Sequence, residues 1–176
     1  MLGEKVGSIS GPTSMKAISA VDGNPTFETV ASGLSGTLAG TDVTSFATYS
    51  ATMRADGSFY GECPNAGVVM ASDGVATFTA TGIGSPTADG GFAFKGVVYF
   101  ESAAPSLSSL NGVAVVYDWN VEASGDATWD LWEWKESDRD RNPAALQTTL
   151  GGSGAVPKDR CCWWCPREDL NLRPVD

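Results

Sequence analysis

The stretch Phe92-Ala-Phe-Lys-Gly-Val-Val-Tyr-Phe-Glu101 decides the fold. Its apolar side chains recur at every second position over most of its length, which is the period of a β-strand with one buried face. Phe94 and Phe100 share one face, and Tyr99 and Glu101 share the other. We expect the phenylalanines to point inward, because a shift of register by one residue would bury charges and expose the aromatic rings.

Strands of the same kind fill the rest of the first 135 residues. Asp-Gly and Asn-Gly pairs separate them, and such pairs suit the tight loops of β-hairpins. The predicted strands cover residues 26–39, 43–54, 58–70, 75–83, 92–101, 113–122 and 127–135, with an eighth within 4–20. Residues 104–112 predict one short helical turn, which Pro105 can open. Successive hairpins predict an all-β fold, a single antiparallel barrel of about eight strands that is lipocalin-like in scale.

Several glycines interrupt the predicted strands. Glycine inside a strand is typical of a bulge or of strong curvature, which closure of a barrel requires. The sequence therefore predicts bulges or bends at five positions: Gly33, Gly36, Gly61, Gly82 and Gly96.

The character of the sequence changes after Lys135. The run 136–143 is charged and has no strand period, and Gly151-Gly-Ser-Gly154 has the composition of a flexible linker. We therefore predict a barrel domain over residues 1–135 and a disordered tail over residues 136–176.

The tail contains the pair Cys162-Trp-Trp-Cys165, whose spacing occurs in redox and zinc sites. Neither interpretation is favoured, because no βαβ pattern surrounds the pair and the chain has no histidine to complete a zinc site. The segment from Trp163 to Pro174 resembles a reading frame that runs antisense through a transfer-RNA gene. Tryptophan is encoded by TGG, the reverse complement of the CCA at the transfer-RNA 3′ end. This resemblance covers residues 160–176 and implies a non-native tail.

Charge and composition exclude several classes of function. Residues 1–135 carry 14 acidic and 5 basic side chains, a net charge of −9. Such a domain is repelled by nucleic acids and by anionic membranes. The absence of histidine excludes Ser-His-Asp catalysis and histidine metal sites. We predict neither a metal nor a cofactor. No apolar run is long enough to span a membrane and no signal peptide is apparent, so we predict a cytoplasmic protein.

Two Tyr-x-Glu pairs are candidate catalytic residues. Tyr60 and Glu62 share one strand face, and Tyr99 and Glu101 share another. Inside a barrel, these pairs would suit general acid/base chemistry. The inward-apolar rule favours the alternative, in which both glutamates face water.

Aromatic residues on two neighbouring strands are candidates for binding an apolar ligand. These are Phe94 and Phe100 on the first strand and Tyr117 and Trp119 on the second. A third strand, 127–135, carries three tryptophans between Trp129 and Trp134. These tryptophans would suit a wall on which a ligand stacks, the interface of a homo-oligomer, or closure of the core. Closure of the core is favoured, because large aromatic side chains usually serve packing.

Five short motifs resemble those of a group of uncharacterised prokaryotic proteins. They are Asp56-Gly-Ser-Phe-Tyr-Gly-Glu62, Gly67-Val-Val-Met70, Gly96-Val-Val-Tyr-Phe100, Leu107-Ser-Ser-Leu-Asn-Gly-Val113 and Leu131-Trp-Glu-Trp-Lys135. The layout is also similar, more distantly, to the allene oxide cyclase and dirigent type of eight-stranded barrel. This second resemblance implies an apolar interior able to hold a hydrophobic small molecule, and it transfers no catalytic residue to this chain.

Three functions remain open at this stage. The first is a barrel that binds a small hydrophobic ligand in its interior. The second is a cofactor-free isomerase or cyclase acting on a hydrophobic substrate. The third is a structural or oligomeric domain with a filled core. The volume of the interior, and whether a carboxylate points into it, would separate them.

Overall fold

Each strand of the protein pairs with its neighbour in the chain, and the last strand pairs with the first. In the computed structural model, which describes residues 2–135 except for the side chains at positions 65 and 66, these antiparallel pairs close into one barrel. The strands are β1 (Leu2–Val21), β2 (Asn24–Leu38), β3 (Thr41–Met53), β4 (Phe59–Ala71), β5 (Gly74–Pro86), β6 (Phe92–Ser102), β7 (Val115–Val121) and β8 (Asp126–Trp134). The predicted all-β, eight-stranded antiparallel barrel is therefore confirmed.

The predicted face of β6 is also confirmed. Phe94 and Phe100 are buried, at 6% and 3% exposure, while Tyr99 is 56% exposed and Glu101 lies at the surface. The same alternation around the ring directs Leu34, Val98 and many others into a common apolar core. Burial of this inward set is the main source of stabilisation for a barrel of this size.

One end of the barrel is closed by a short 3-10 helix, η1 (Pro105–Leu110), where the sequence predicts a helical turn. Leu107 and Leu110 of η1 are buried in the core. The Asp73 carboxylate, in the turn between β4 and β5, accepts hydrogen bonds from the Ser106 backbone N–H (2.9 Å) and hydroxyl (2.7 Å). These bonds hold η1 in place, so this end of the barrel is plugged.

The other end of the barrel is surrounded by four connections: residues 22–23, 54–58, 87–91 and 122–125. The first of these joins β1 and β2, which project beyond β8. Pairing of β1 with β8 stops at Pro12, opposite Asp126, whereas pairing with β2 continues to Val21. The predicted eighth strand within residues 4–20 thus exists as β1, and it extends slightly further at both ends. Its distal half pairs with β2 and not with β8.

Residues 136–176 lie outside the described part of the chain. The predicted disordered tail, the Cys162–Cys165 pair and the antisense resemblance of residues 160–176 therefore stay predictions. Within residues 2–135, no helix has the length and apolar character needed to cross a lipid bilayer.

Candidate ligand site in the barrel interior

A row of glycines across three adjacent strands makes room inside the barrel. Gly61 of β4 lies opposite Gly82 of β5, which lies opposite Gly96 of β6, and Gly96 lies opposite Tyr117 of β7. A Cβ atom on Gly82 would lie 2.6 Å from the Tyr117 hydroxyl oxygen, and one on Gly96 would lie 2.6 Å from the same atom. The Tyr117 ring therefore lies across the neighbouring strands in space that any other residue would fill.

The strand ladders show no register shift at four of the five glycines predicted to mark bulges or bends: Gly36, Gly61, Gly82 and Gly96. Gly82 and Gly96 lie in an uninterrupted ladder between β5 and β6, with no bulge at either position. At Gly33, in contrast, the register shifts between Ser32 and Leu34 and φ is 75°, as expected for a bulge. Gly82 and Gly96 are required for close approach of an aromatic ring, which is a second established use of glycine in strands.

An inner cavity of about 60 Å³ lies beside the Tyr117 ring. Its walls are mostly apolar and include Phe94, Trp119 and Trp129. Ser45, Tyr49 and Tyr117 also line the cavity and contribute hydroxyl groups. A cavity of this size can hold a few waters or the end group of a ligand.

A second, larger cavity of about 220 Å³ opens at the end of the barrel opposite η1, and we call it the mouth. Aromatic residues that follow the turns at this end form much of its wall. The ring of Phe59 packs edge to face against two other rings there. Its centroid lies 6.0 Å from the centroid of Phe27 and 5.6 Å from that of Phe92. Residues 122–125 contribute the rim.

Tyr49 and Phe94 line both cavities, so the two adjoin at these side chains. The Trp119 indole N–H donates a hydrogen bond of 2.8 Å to the Tyr49 hydroxyl, and the two rings pack edge to face at 5.7 Å. Burial raises the pKa of Tyr49, although hydrogen bonds with Thr29 and Trp119 partly oppose the shift. Burial likewise raises the pKa of Tyr117. Both phenols are therefore neutral hydrogen-bonding groups at physiological pH.

These two tyrosines predict a loss of stability at alkaline pH. In the unfolded chain a tyrosine loses its proton near pH 10, whereas Tyr49 and Tyr117 in the folded protein keep theirs to higher pH. The unfolded state then binds fewer protons, so the free energy of unfolding falls as pH rises above about 10, by up to about 1.4 kcal/mol per pH unit for each tyrosine.

Denaturation by urea between pH 8 and 11.5 would measure this slope. Tyr117→Phe should make it shallower, because one of the two shifted groups is removed. Tyr99→Phe is the matched control, since Tyr99 is exposed on the outer surface, and it should leave the slope unchanged. An unaltered slope in Tyr117→Phe would contradict the assignment.

Three of the four predicted ligand-binding residues line the inner cavity. These are Phe94, Tyr117 and Trp119. Phe100, the fourth predicted residue, lines neither of the two cavities. It lies toward the plugged end, where its ring packs against Phe78 at 5.7 Å and Trp129 at 6.1 Å.

The two Tyr-x-Glu pairs lie on the outside of the barrel. Tyr60 and Tyr99 are 41% and 56% exposed, and both Glu62 and Glu101 are at the surface. Glu62 borders the inner cavity, but strand alternation with buried Gly61 and Cys63 turns its side chain outward. The structure brings neither pair into the interior.

The tryptophans of β8 divide between the two faces. Trp129 is buried against the inner cavity, whereas Trp132 faces outward beneath the Lys5 ammonium, 5.8 Å from its ring. Trp134 is 59% exposed. Of the three tryptophans, only Trp129 closes the core as predicted. The alternation of side chains along β8 places Trp129 on the inner face and the other two on the outer face.

The ionisable groups of the described interior are the phenols of Tyr49 and Tyr117 and the thiol of Cys63, and Glu122 lies on the rim of the mouth. None of the carboxylates within residues 2–135 is buried, and no lysine or arginine in that range lines the inner cavity or the mouth. No cluster of three or more His, Cys, Asp or Glu side chains suited to a metal occurs among the described residues. The thiol of buried Cys63 donates a hydrogen bond of 3.4 Å to the Thr48 carbonyl oxygen.

Sequence reasoning missed the walls of the mouth. Phe27, Phe59 and Phe92 each follow a turn motif by at most a few residues, and all three turns lie at the same end of an antiparallel meander. Tyr49 shares a strand face with Ser45 and Ala51, which are buried. The positions of the turns and the period of β3 were therefore sufficient signals for these residues.

The fold and the site together define a small antiparallel β-barrel with one plugged end, one open end and an apolar interior. No protein-family model matches the chain, and no curated protein is significantly similar to it. A similar solved structure is the crystal structure of a conserved protein of unknown function from Rhodopseudomonas palustris. Its TM-score is 0.63 at 12% sequence identity, and the match covers 76% of this chain and 97% of that one. At this identity the likeness shows the fold alone.

Proposed function

We propose that this barrel binds a small hydrophobic molecule through its mouth. The observation that carries the proposal is the mouth itself, a cavity of about 220 Å³ lined by Phe27, Phe59 and Phe92 at the unplugged end. Binding pockets for small molecules are typically concave and apolar, with a few convergent polar groups. The hydroxyls of Thr29 and Tyr49 supply such groups here.

The volume of the site limits the size of the ligand. Pockets for drug-sized molecules enclose about 300–1,000 Å³, which is more than the mouth offers. A ligand of one or two rings, or a short chain, matches the mouth and can extend one end into the inner cavity at Tyr49 and Phe94.

The described interior favours binding over the isomerase or cyclase alternative. General acid/base catalysis commonly relies on an ionisable group whose pKa is tuned toward the working pH. None of the described carboxylates is buried, and the one that lines the mouth, Glu122, is exposed on its rim. The two phenols that line the interior have pKa values moved further from neutrality. Tyr60, Glu62, Tyr99 and Glu101 would need to act from the outer surface.

Blocking the mouth tests the proposal. Ala123 is exposed on the rim, so Ala123→Trp should cap the opening without disturbing the core. Ala103→Trp is the matched control, because Ala103 is also exposed but lies at the plugged end. We expect binding of ethylbenzene, followed by changes in amide NMR shifts, to weaken about tenfold or more in Ala123→Trp and to stay unchanged in Ala103→Trp.

Native mass spectrometry of the purified protein complements this titration. A small apolar molecule that co-purifies with wild type and is lost from Ala123→Trp would support the proposal. Equal binding by both tryptophan variants, or shift changes confined to the outer surface, would overturn it.

A further inference from the structure

The Tyr117 hydroxyl is one of three hydroxyl groups on the mostly apolar wall of the inner cavity, and the others belong to Ser45 and Tyr49. The ring is fixed between the glycine row on one side and Trp129 on the other, where the two rings meet edge to face at 6.0 Å. Within residues 2–135, no side chain forms a hydrogen bond with this hydroxyl, in contrast to Tyr49, which accepts one from Trp119. A neutral phenol in this state keeps its O–H available as a donor.

The surroundings of this hydroxyl discriminate by charge. Lysine and arginine are missing from the described walls of both cavities, and the domain carries a net charge of −9 over residues 1–135. An anion entering the interior would lose its hydration without gaining a counter-charge, which is strongly unfavourable. A neutral oxygen would lose far less and would gain one hydrogen bond.

We propose that the ligand is a neutral molecule with an apolar body and a single exposed oxygen acceptor, such as a ketone, which accepts a hydrogen bond from the Tyr117 hydroxyl. This inference rests on the proposed function. The oxygen lies in the inner cavity, Tyr49 and Phe94 enclose the middle of the molecule, and the apolar body occupies the mouth against Phe59 and Phe92.

Three compounds of nearly equal size and shape test the inference: ethylbenzene, acetophenone and benzoate. Wild-type protein should bind acetophenone about three- to tenfold more tightly than ethylbenzene, which corresponds to one neutral hydrogen bond. Benzoate should bind at least about tenfold more weakly than acetophenone, because its charge has no partner. Isothermal titration at pH 7.5 measures all three.

The variant Tyr117→Phe isolates the hydroxyl. It should remove the preference for acetophenone and leave the affinity for ethylbenzene unchanged. Tyr99→Phe is the control on the outer surface and should alter neither affinity. The carbonyl stretching band of acetophenone bound to wild type should also lie at lower frequency than in hexane, and this measurement does not depend on a variant that folds.

Each outcome separates this inference from the function on which it rests. If none of the three compounds binds, the proposed function fails. If ethylbenzene and acetophenone bind equally, and the carbonyl band matches that in hexane, the pocket binds apolar molecules but the assignment of Tyr117 is wrong. Tight binding of benzoate would overturn the inference that the ligand is neutral.

Discussion

Phe100→Ala should lower the free energy of unfolding by about 3–5 kcal/mol, the range found for removal of a buried phenylalanine. Phe100 is 3% exposed and lies between Phe78 and Trp129, so the lost ring would leave a cavity in the aromatic cluster. The neighbouring strands are hydrogen-bonded on both sides of β6 and cannot collapse into that space. Urea denaturation followed by tryptophan fluorescence measures the change.

The adjacent residue provides the control for this prediction. Glu101 lies on the outer face of the same strand, so Glu101→Ala should alter stability by less than about 1 kcal/mol. Comparable losses in the two variants would show that β6 does not bury one face and expose the other. A loss below about 1 kcal/mol for Phe100→Ala would likewise contradict the packing described above.

Gly96→Ala should destabilise the protein by about 3 kcal/mol, at the upper end of the range for overpacking. The added methyl group would collide with the Thr81 carbonyl oxygen on β5 and with the Tyr117 ring on β7. Thr81 belongs to the backbone ladder, so relief requires β5 and β6 to separate. The same measurement of unfolding free energy, together with loss of the inner cavity in a crystal structure, would test this.

Gly23→Ala is the matched glycine control. Gly23 has a φ of 79°, which disfavours alanine, but a Cβ there would meet nothing within 4 Å. Its expected loss is about 1–2 kcal/mol, the cost of the left-handed backbone alone. If Gly96→Ala proves no worse than Gly23→Ala, then close approach of Tyr117 is not what requires glycine at position 96.

The sequence predicted the fold more completely than the site. Alternation in residues 92–101 was enough to assign the inward face, since a half-buried strand has a period of two. Turn motifs such as Asp22-Gly23 marked the ends of strands, because their backbone geometry is local. Phe94, Tyr117 and Trp119 were placed on the inward face for the same reason. Phe100 shares that face but lies away from both cavities, because alternation gives the face of a residue and not its depth along the barrel.

The sequence by itself determined which residues point inward, since that depends only on local period and hydrophobicity. The tertiary structure alone decided what these residues do. Gly96 follows Gly82 by 14 residues, and Tyr117 follows Gly96 by 21 residues. Only the strand register brings the three residues together. The unpaired hydroxyl inside the barrel is a consequence of that register, because hydrogen bonds between strands act across the sheet and leave no periodic signal along the chain.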